Sequence, residues 1–448
     1  MKSVNYSIKA IALFLFLLCA SLAGNAQDSF CYKGVYYLVT DYNTVAVTSS
    51  PDNSYSGTIE IPSTVYMTIY FYGEEYQRDY TVTAIGEGAF RECFDLQQVI
   101  LPNTITTIDK NAFYNCTNLS SIVFPSSLSK INQSAFAYCT SLTSVVIPDN
   151  VVDIGWNVFY GCSGLTSVTI SKNVSQLNGT FQGCVRLTSV VIPESVTCLD
   201  GTFKGCMSLG SVDILGPLEY IGPSTFEECY SLTSIILPES LTYIDDKAFL
   251  YCLLQTIVCK PTTPPEMFPY TLDSFSSVVY DNCLLYVPNR AIYSYRTTDW
   301  WRMFKNILGF ITLNESSITL NPRQTYRLTA QLAPGLEDEA GVVWQSDNTN
   351  IVTVTADGLV KAISHGVAFV TASYYGEEAI CEVIVMENPR VGDVNGDGEV
   401  NIADINALID AILGGNIKPN DIGLYDTNVD GEVNIADINA LIDLILNG

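Results

Sequence analysis

The sequence predicts a mainly β chain in three parts: a solenoid of short repeats, a β-sandwich, and a small all-α pair near the C-terminal end. Three observations predict it. A Phe-x-x-Cys-x-x-Leu pattern recurs every 22 or 23 residues through the first half of the chain. From Ile311 to Asn388 short alternating strands are separated by turn dipeptides. A thirteen-residue stretch, Gly-Glu-Val-Asn-Ile-Ala-Asp-Ile-Asn-Ala-Leu-Ile-Asp, then occurs twice without change, at 398–410 and 431–443.

The N-terminal residues read as an export signal. Lys2 and Lys9 accompany an apolar core, Ile11 to Leu18, and a small-residue exit at Gly24-Asn25-Ala26, so residues 1–26 form a signal peptide cleaved after Ala26. Phe16-Leu17-Leu18 before Cys19 lacks the small residue expected beside a lipid-bearing cysteine. No other apolar run is long enough for a transmembrane segment. The expected location is secreted or at a bacterial cell surface. The formal charge of −26 becomes −28 when Lys2 and Lys9 are removed. So acidic a chain repels nucleic acid and anionic lipid, so no nucleic-acid partner is expected.

The repeat array runs over residues 80–260. Cys93, Cys116, Cys139, Cys162, Cys184, Cys206, Cys229 and Cys252 mark its period. A phenylalanine lies three residues before each, from Phe90 to Phe249, and a leucine three residues after, from Leu96 to Leu232; Leu254 arrives one residue early. An aliphatic anchor precedes each Phe: Ile85, Ile108, Ile131, Ile154, Leu177, Leu199, Ile221 and Ile244. A β-branched run such as Val145-Val146-Ile147 follows each leucine. A unit this small has no core of its own, so the units must stack Phe on Phe and strand beside strand. At about 4.8 Å per strand, eight units extend about 40 Å. Eight of the fourteen cysteines are therefore a repeat position and not a staple pattern or a zinc motif. Ladder cysteines have parallel Cβ vectors and should stay reduced. Cys259 and Cys283, at the end of the array, are the best-placed disulfide pair.

These residues resemble the BspA-like leucine-rich repeat family of bacterial surface proteins, which implies a leucine-rich-repeat solenoid. Residues 27–79, with Gly34-Val35-Tyr36-Tyr37 and Ile59-Glu60-Ile61-Pro62, resemble that family's β-rich N-terminal cap. Residues 261–310 resemble its C-terminal cap: Cys283 to Pro288, then a helix to about Phe304, with Trp300, Trp301 and Phe304 sealing the last repeat. Residues 311–388 resemble a bacterial Ig-like domain of group 2, with strands around Ile318–Leu320, Tyr326–Leu328, Val342–Trp344, Val352–Val354, Phe369–Thr371 and Cys381–Val383. Trp344 is expected as its buried core tryptophan. Such a module serves as a spacer, and Asn388-Pro389-Arg390 reads as a hinge after it.

Residues 389–448 carry two twelve-residue loops. The first places oxygen ligands on Asp393, Asn395, Asp397, Asn401 and Asp404, with Glu399 offering its backbone carbonyl. The second repeats this with Asp426, Asn428, Asp430, Asn434, Asp437 and Glu432. Glycine at position 6 of each loop allows the sharp turn. An oxygen cage of this composition suits a hard divalent cation, so two structural calcium ions are expected. The helix after each loop has an apolar stripe: Ile405, Leu408, Ile409, Ile412, Leu413, and Ile438, Leu441, Ile442, Ile445, Leu446. Neither stripe can be buried alone, so the helices should pack together. The pair resembles a type I dockerin, which implies a cohesin-bearing protein as partner. In that family, loop positions 10 and 11 help choose the partner; here they are Ile402–Ala403 and Ile435–Ala436, apolar where hydroxyl side chains are common.

Catalytic chemistry finds little support in the chain. A nucleophile–histidine system has only His365 to draw on, in an apparent turn of the sandwich. Paired carboxylates suffice for a glycosidase, but acids such as Glu194, Asp213 and Glu239 fall at turn or exposed strand positions. The expectation is a non-enzymatic adhesion or binding protein. Its solenoid would recognise a host protein or glycan, and its C-terminal module would dock. The alternative is a non-catalytic or glycan-degrading component of a cohesin–dockerin assembly that processes polysaccharide.

Overall fold

The computed structural model describes residues 29–447 except 53, 72–73, 268–273, 337–340, 388–389 and 416–421. The signal segment and the Asn388-Pro389 junction lie outside the described residues. The chain divides into two compact units, 1–310 with 333–337, and 311–332 with 338–448.

In the first unit each repeat supplies two parallel strands. One follows the leucine: Ser144–Val146 pairs with Ser167–Thr169, and Ser234–Leu237 with Thr256–Cys259. The other holds the aliphatic anchor: Thr107–Ile108, Lys130–Ile131 and Asp153–Ile154 lie in one ladder, and Gln176–Asn178 through Tyr243–Ile244 in the next. The anchors are thus strands, which their two- or three-residue length hides in the sequence. Between the strands the chain turns through two left-handed residues per repeat. Asn111 and Asn115 do this in one unit, Ser134 and Tyr138 in the next. Non-glycine residues adopt that conformation at a cost. Hydrogen bonds to the following repeat, such as Phe113 N–H to Ala135 C=O at 2.7 Å and Asn115 N–H to Ala137 C=O at 2.7 Å, hold the turn in place.

The core is a single column. From Phe90 to Phe249 the eight repeat rings stack with centroids 4.9–5.8 Å apart and planes within 16°. A ninth ring, Phe275, continues it at 5.0 Å. That ring comes from the cap and matches no repeat, so sequence periodicity misses it. Tyr55 closes the other end against Phe90 at 4.9 Å. Trp301 is fully buried and donates from Nε1 to the Pro265 carbonyl at 2.7 Å, and Phe304 is buried beside it. Trp300 is only half-buried.

Two expectations need correction in this unit. Cys259 and Cys283 are separate buried thiols, not a disulfide; Cys259 Sγ lies 3.3 Å from the Tyr295 hydroxyl, and Cys283 contacts the Leu284 carbonyl. Their neighbouring strands run parallel, Thr256–Cys259 against Leu284–Val287, and the register pairs Val258 with Tyr286, leaving Cys259 and Cys283 at opposite ends. The helix before Phe304 is only Ile292–Thr297, followed by a short 3₁₀ turn at Trp301–Met303. The break falls where Trp300 adopts a left-handed backbone, φ +71°.

The second unit contains the predicted sandwich. One sheet orders Ser317–Leu320, Glu377–Val385, Gly366–Tyr374 and Val343–Ser346; another orders Thr325–Arg327, Leu359–Ala362 and Val352–Val354. Their inner faces bury Ile318, Leu320, Val352, Val360, Val370, Cys381 and Val383. Trp344 is half-buried at the margin of this core, which corrects its expected central place. Its ring lies against Gly358, where a Cβ would come within 3.0 Å of it.

The same unit ends in the helices Ile402–Gly414 and Ile435–Asn447. Leu408 and Leu441 are fully buried, with Ile405, Ile412, Ile438 and Ile445 packed around them. Leu413 and Leu446 do not join; they are 81% and 75% exposed at the helix ends.

Candidate functional site

The two loops wrap their backbone around acidic side chains. In the first, Asp393 Oδ1 accepts from the N–H groups of Gly396 and Asp397 at 2.9 and 3.1 Å, and Oδ2 accepts from Gly398 N–H at 2.9 Å. Asp404 closes the loop from the helix side, accepting from Asn395 N–H at 3.0 Å and Asn401 N–H at 2.8 Å. Asn395 Oδ1 accepts from Asp397 N–H, and Asp397 Oδ1 from Glu399 N–H. Asn401 caps the helix by accepting from Ala403 N–H at 2.7 Å, with Asp404 completing the capping box.

The second loop repeats this arrangement. Asp426 accepts from Asp430 and Gly431 N–H, Asp437 from Asn428 and Asn434 N–H, and Asn428 Oδ1 from Asp430 N–H. Asp430 accepts from Glu432 N–H, and Asn434 from Ala436 N–H. Gly398 and Gly431 take φ +88° and +91°, a conformation that needs glycine at position 6.

Burial separates these acids from ordinary turn residues. Asp404 and Asp437 are fully buried, and Asp393 and Asp426 are 8% and 7% exposed. Buried carboxylates are costly unless a cation or several donors meet them. The donors are mixed: carboxylates and amide oxygens at each loop. Among the described residues no group of three His, Cys, Asp or Glu side chains forms a ready metal cluster on its own. Such a mixed oxygen set, closed by a buried carboxylate at position 12, fits calcium, which takes six to eight oxygens including amide and backbone carbonyls. Bound calcium would supply the positive charge these acids lack. Asp393, Asn395, Asp397, Asp404 and their second-loop counterparts would hold it; Glu399 and Glu432 are exposed, in keeping with a backbone role.

Ile402 and Ile435 are each 70% exposed, and Ala403 and Ala436 are exposed beside them. These apolar residues stand at the first turns of the two helices, outside the shared core.

A second surface lies on the solenoid. Its leucine-side strands turn one row of serines outward: Ser121, Ser144, Ser167, Ser189, Ser211 and Ser234. The next outward row is aliphatic, with Ile100, Val123, Val146, Val191 and Ile236 between 38% and 76% exposed. The serine row keeps the repeat period, while the aliphatic row lies inside a β-branched run that reads as core. Elsewhere the acids stand apart. Glu194, Asp213 and Glu239 are exposed. His365 contacts the Val385 carbonyl through Nδ1 at 3.0 Å and Glu387 through Nε2 at 3.5 Å.

Comparison with known proteins agrees with this architecture. The family model for the BspA type leucine rich repeat region matches six copies over residues 60–180 and 177–283, half of the chain. The group 2 bacterial Ig-like domain matches 309–374, and the dockerin type I domain matches 391–446. A lacto-N-biosidase of Bifidobacterium bifidum is 38% identical over 84 residues, 18% of this chain. The chain spans only 8% of that relative's length. A crystal structure of a leucine-rich repeat protein from Bacteroides ovatus is 20% identical, with 65% of this chain and 82% of that one covered and a TM-score of 0.45. A leucine-rich repeat protein of T. pallidum is 30% identical, covering 46% and 91%, with a TM-score of 0.39.

The matched modules are non-catalytic, and they are typical of extracellular or surface proteins. Dockerin type I domains bind calcium and dock onto a cohesin partner. No helix among the described residues is long and apolar enough to cross a membrane. The chain belongs to the BspA type leucine rich repeat family and carries a group 2 bacterial Ig-like domain and a type I dockerin domain.

Proposed function

We propose that this is an exported, non-enzymatic binding protein whose solenoid recognises a host protein or glycan and whose C-terminal module anchors it to a cohesin-bearing partner. Two calcium ions, one per loop, order that module through Asp393, Asn395, Asp397, Glu399, Asn401 and Asp404 and through Asp426, Asn428, Asp430, Glu432, Asn434 and Asp437. The observation that carries the reading is the pair of fully buried carboxylates, Asp404 and Asp437, each closing an acidic loop at the same position. Ile402–Ala403 and Ile435–Ala436 would meet the partner, because they are exposed at equivalent places on the two helices. The exposed serine and aliphatic rows of the solenoid offer the recognition face, with hydroxyls for polar contacts and β-branched side chains for apolar ones.

The second reading, a component of a polysaccharide-processing assembly, draws support from the stretch shared with a lacto-N-biosidase. Both readings are tested by one capture experiment. The mature chain, and the same chain lacking residues 390–448, are used as bait for extracellular proteins and glycans in calcium and in chelator. Calcium-dependent capture of a cohesin-bearing protein by the full chain alone supports docking. Retention of all binding by the shortened chain overturns it. Capture of glycan-degrading enzymes through the same cohesin favours the second reading.

A further inference from the structure

The two loops share their oxygen donors, position by position, but not the residue at position 4. In the first loop that residue is Gly396, at φ +76°; in the second it is Val429, at φ +61°. The left-handed region is open to glycine and strained for a β-branched residue. Val429 is 77% exposed, so no packing offsets the strain.

Two further differences act on the same balance. Val394, at position 2 of the first loop, is 7% exposed and belongs to the core around Leu408 and Leu441. Its counterpart Thr427 instead donates its hydroxyl to the Asp437 carbonyl. Asp393 gathers three loop N–H groups, including that of Gly396; Asp426 gathers those of Asp430 and Gly431. Thr427's one neutral bond works toward the second loop, by about fivefold. Val394 burial and the absence of strain at position 4 work toward the first, each by about as much or more.

Resting on the calcium reading above, we propose that the two sites are unequal. The loop 393–404 binds calcium first and more tightly; the loop 426–437 fills at higher calcium, and Val429 sets the gap. An ion that selects the folded loop binds with an apparent affinity reduced by the fraction of metal-free chains holding that loop folded. Strain at Val429 lowers that fraction for the second loop only. The expected gap is about tenfold in dissociation constant, or about 1.4 kcal/mol. At calcium levels between the two constants, the first loop and its helix are ordered while the second half of the docking surface, Ile435–Ala436, is still incomplete. Val429 therefore tunes the calcium concentration at which the module is completed.

The test is calorimetric titration of the full mature chain with calcium alone, beside four variants. Asp426→Ala leaves only the first site and Asp393→Ala only the second; the first of these chains should bind about tenfold more tightly. Val429→Gly and Gly396→Val keep every ligand. Val429→Gly should tighten the weaker step until the two nearly coincide, and Gly396→Val should weaken the tighter one. Equal constants in the single-site chains, or a second step unmoved by Val429→Gly, overturn the proposal while leaving calcium binding intact. No calcium uptake by any chain defeats the calcium reading itself, and this inference with it.

Discussion

The thiol of Cys139 donates to the backbone carbonyl of Phe113, one repeat back, at 3.2 Å. The same bond recurs along the array: Cys116 to Phe90, Cys162 to Phe136, Cys184 to Phe159, Cys206 to Phe181, Cys229 to Phe203 and Cys252 to Phe226. Each links neighbouring repeats at a fully buried position. The cysteine period is therefore a packing and hydrogen-bonding device, not redox chemistry.

That role predicts inert thiols. Burial pushes Cys162, Cys206 and Cys252 up to about 12, far from the range in which thiolate forms at neutral pH. Cys31 is the exposed cysteine among the described residues. Alkylation of the native chain at pH 8, mapped by mass spectrometry, should label Cys31 quickly and the ladder only after denaturant is added. Rapid labelling of Cys139 or Cys184 in the native chain would contradict the buried ladder.

The ring stack predicts where stability is concentrated. Phe159 lies mid-column, fully buried between Phe136 at 5.5 Å and Phe181 at 5.7 Å. Phe159→Ala should cost about 3–5 kcal/mol, because it opens a cavity that neighbouring repeats cannot fill. Denaturant unfolding measures it. A loss below about 1 kcal/mol would mean the repeats do not depend on the column.

The exposed isoleucines predict a separation of metal from partner binding. Ile402→Gln with Ile435→Gln alters two side chains that are each 70% exposed, so fold stability should change by less than about 0.5 kcal/mol per site. Calcium uptake should persist, while cohesin capture should fall at least about tenfold if these residues form the apolar centre of the contact. Unchanged capture by the double variant would remove them from the docking surface.

The sandwich predicts a small acid-sensitive element. Thr355 donates its hydroxyl to Asp357, and Arg327 Nη1 lies 2.8 Å from Asp357 Oδ2. The threonine bond first, then the arginine, lowers Asp357 to about 2 from a usual 3.8. A depressed folded value stabilises above the unfolded value and loses that contribution as pH falls through the folded one. The window is thus between about pH 4 and pH 2. Thr355→Val should flatten the acid limb of the stability curve in that window and lower stability at pH 7 by the same amount, a small one because this pair is solvent-exposed. An unaltered acid limb would show that the contact does not hold in solution.

Several features were legible because they are periodic or local. Phe113 and Cys116 announce a stacked column through a repeat of fixed length, and a unit without its own core has no other way to bury them. Asp393 to Asp404 announce a folded loop through spacing alone, since position 6 requires glycine and position 12 must reach back from a helix. Features that depend on distant partners were not legible. Phe275 joins the stack from a cap segment outside the period. Cys259 finds Tyr295 instead of Cys283 because strand register, not sequence distance, decides which side chains meet. Trp344 sits at the sandwich margin with its ring against Gly358, a residue of a later turn.

The sequence by itself determined the three-part order, the column of phenylalanines and the oxygen donors of both loops. Periodicity and ligand spacing are one-dimensional properties, and simple burial and coordination rules act on them directly. Only the tertiary structure decided which carboxylates are buried, which isoleucines stay exposed, and that two loops of identical ligands differ in backbone strain. Those outcomes depend on φ angles and on neighbours far along the chain. Val429 shows the limit most clearly: valine at that position is unremarkable as a letter, and becomes a strained residue only when the loop around it closes.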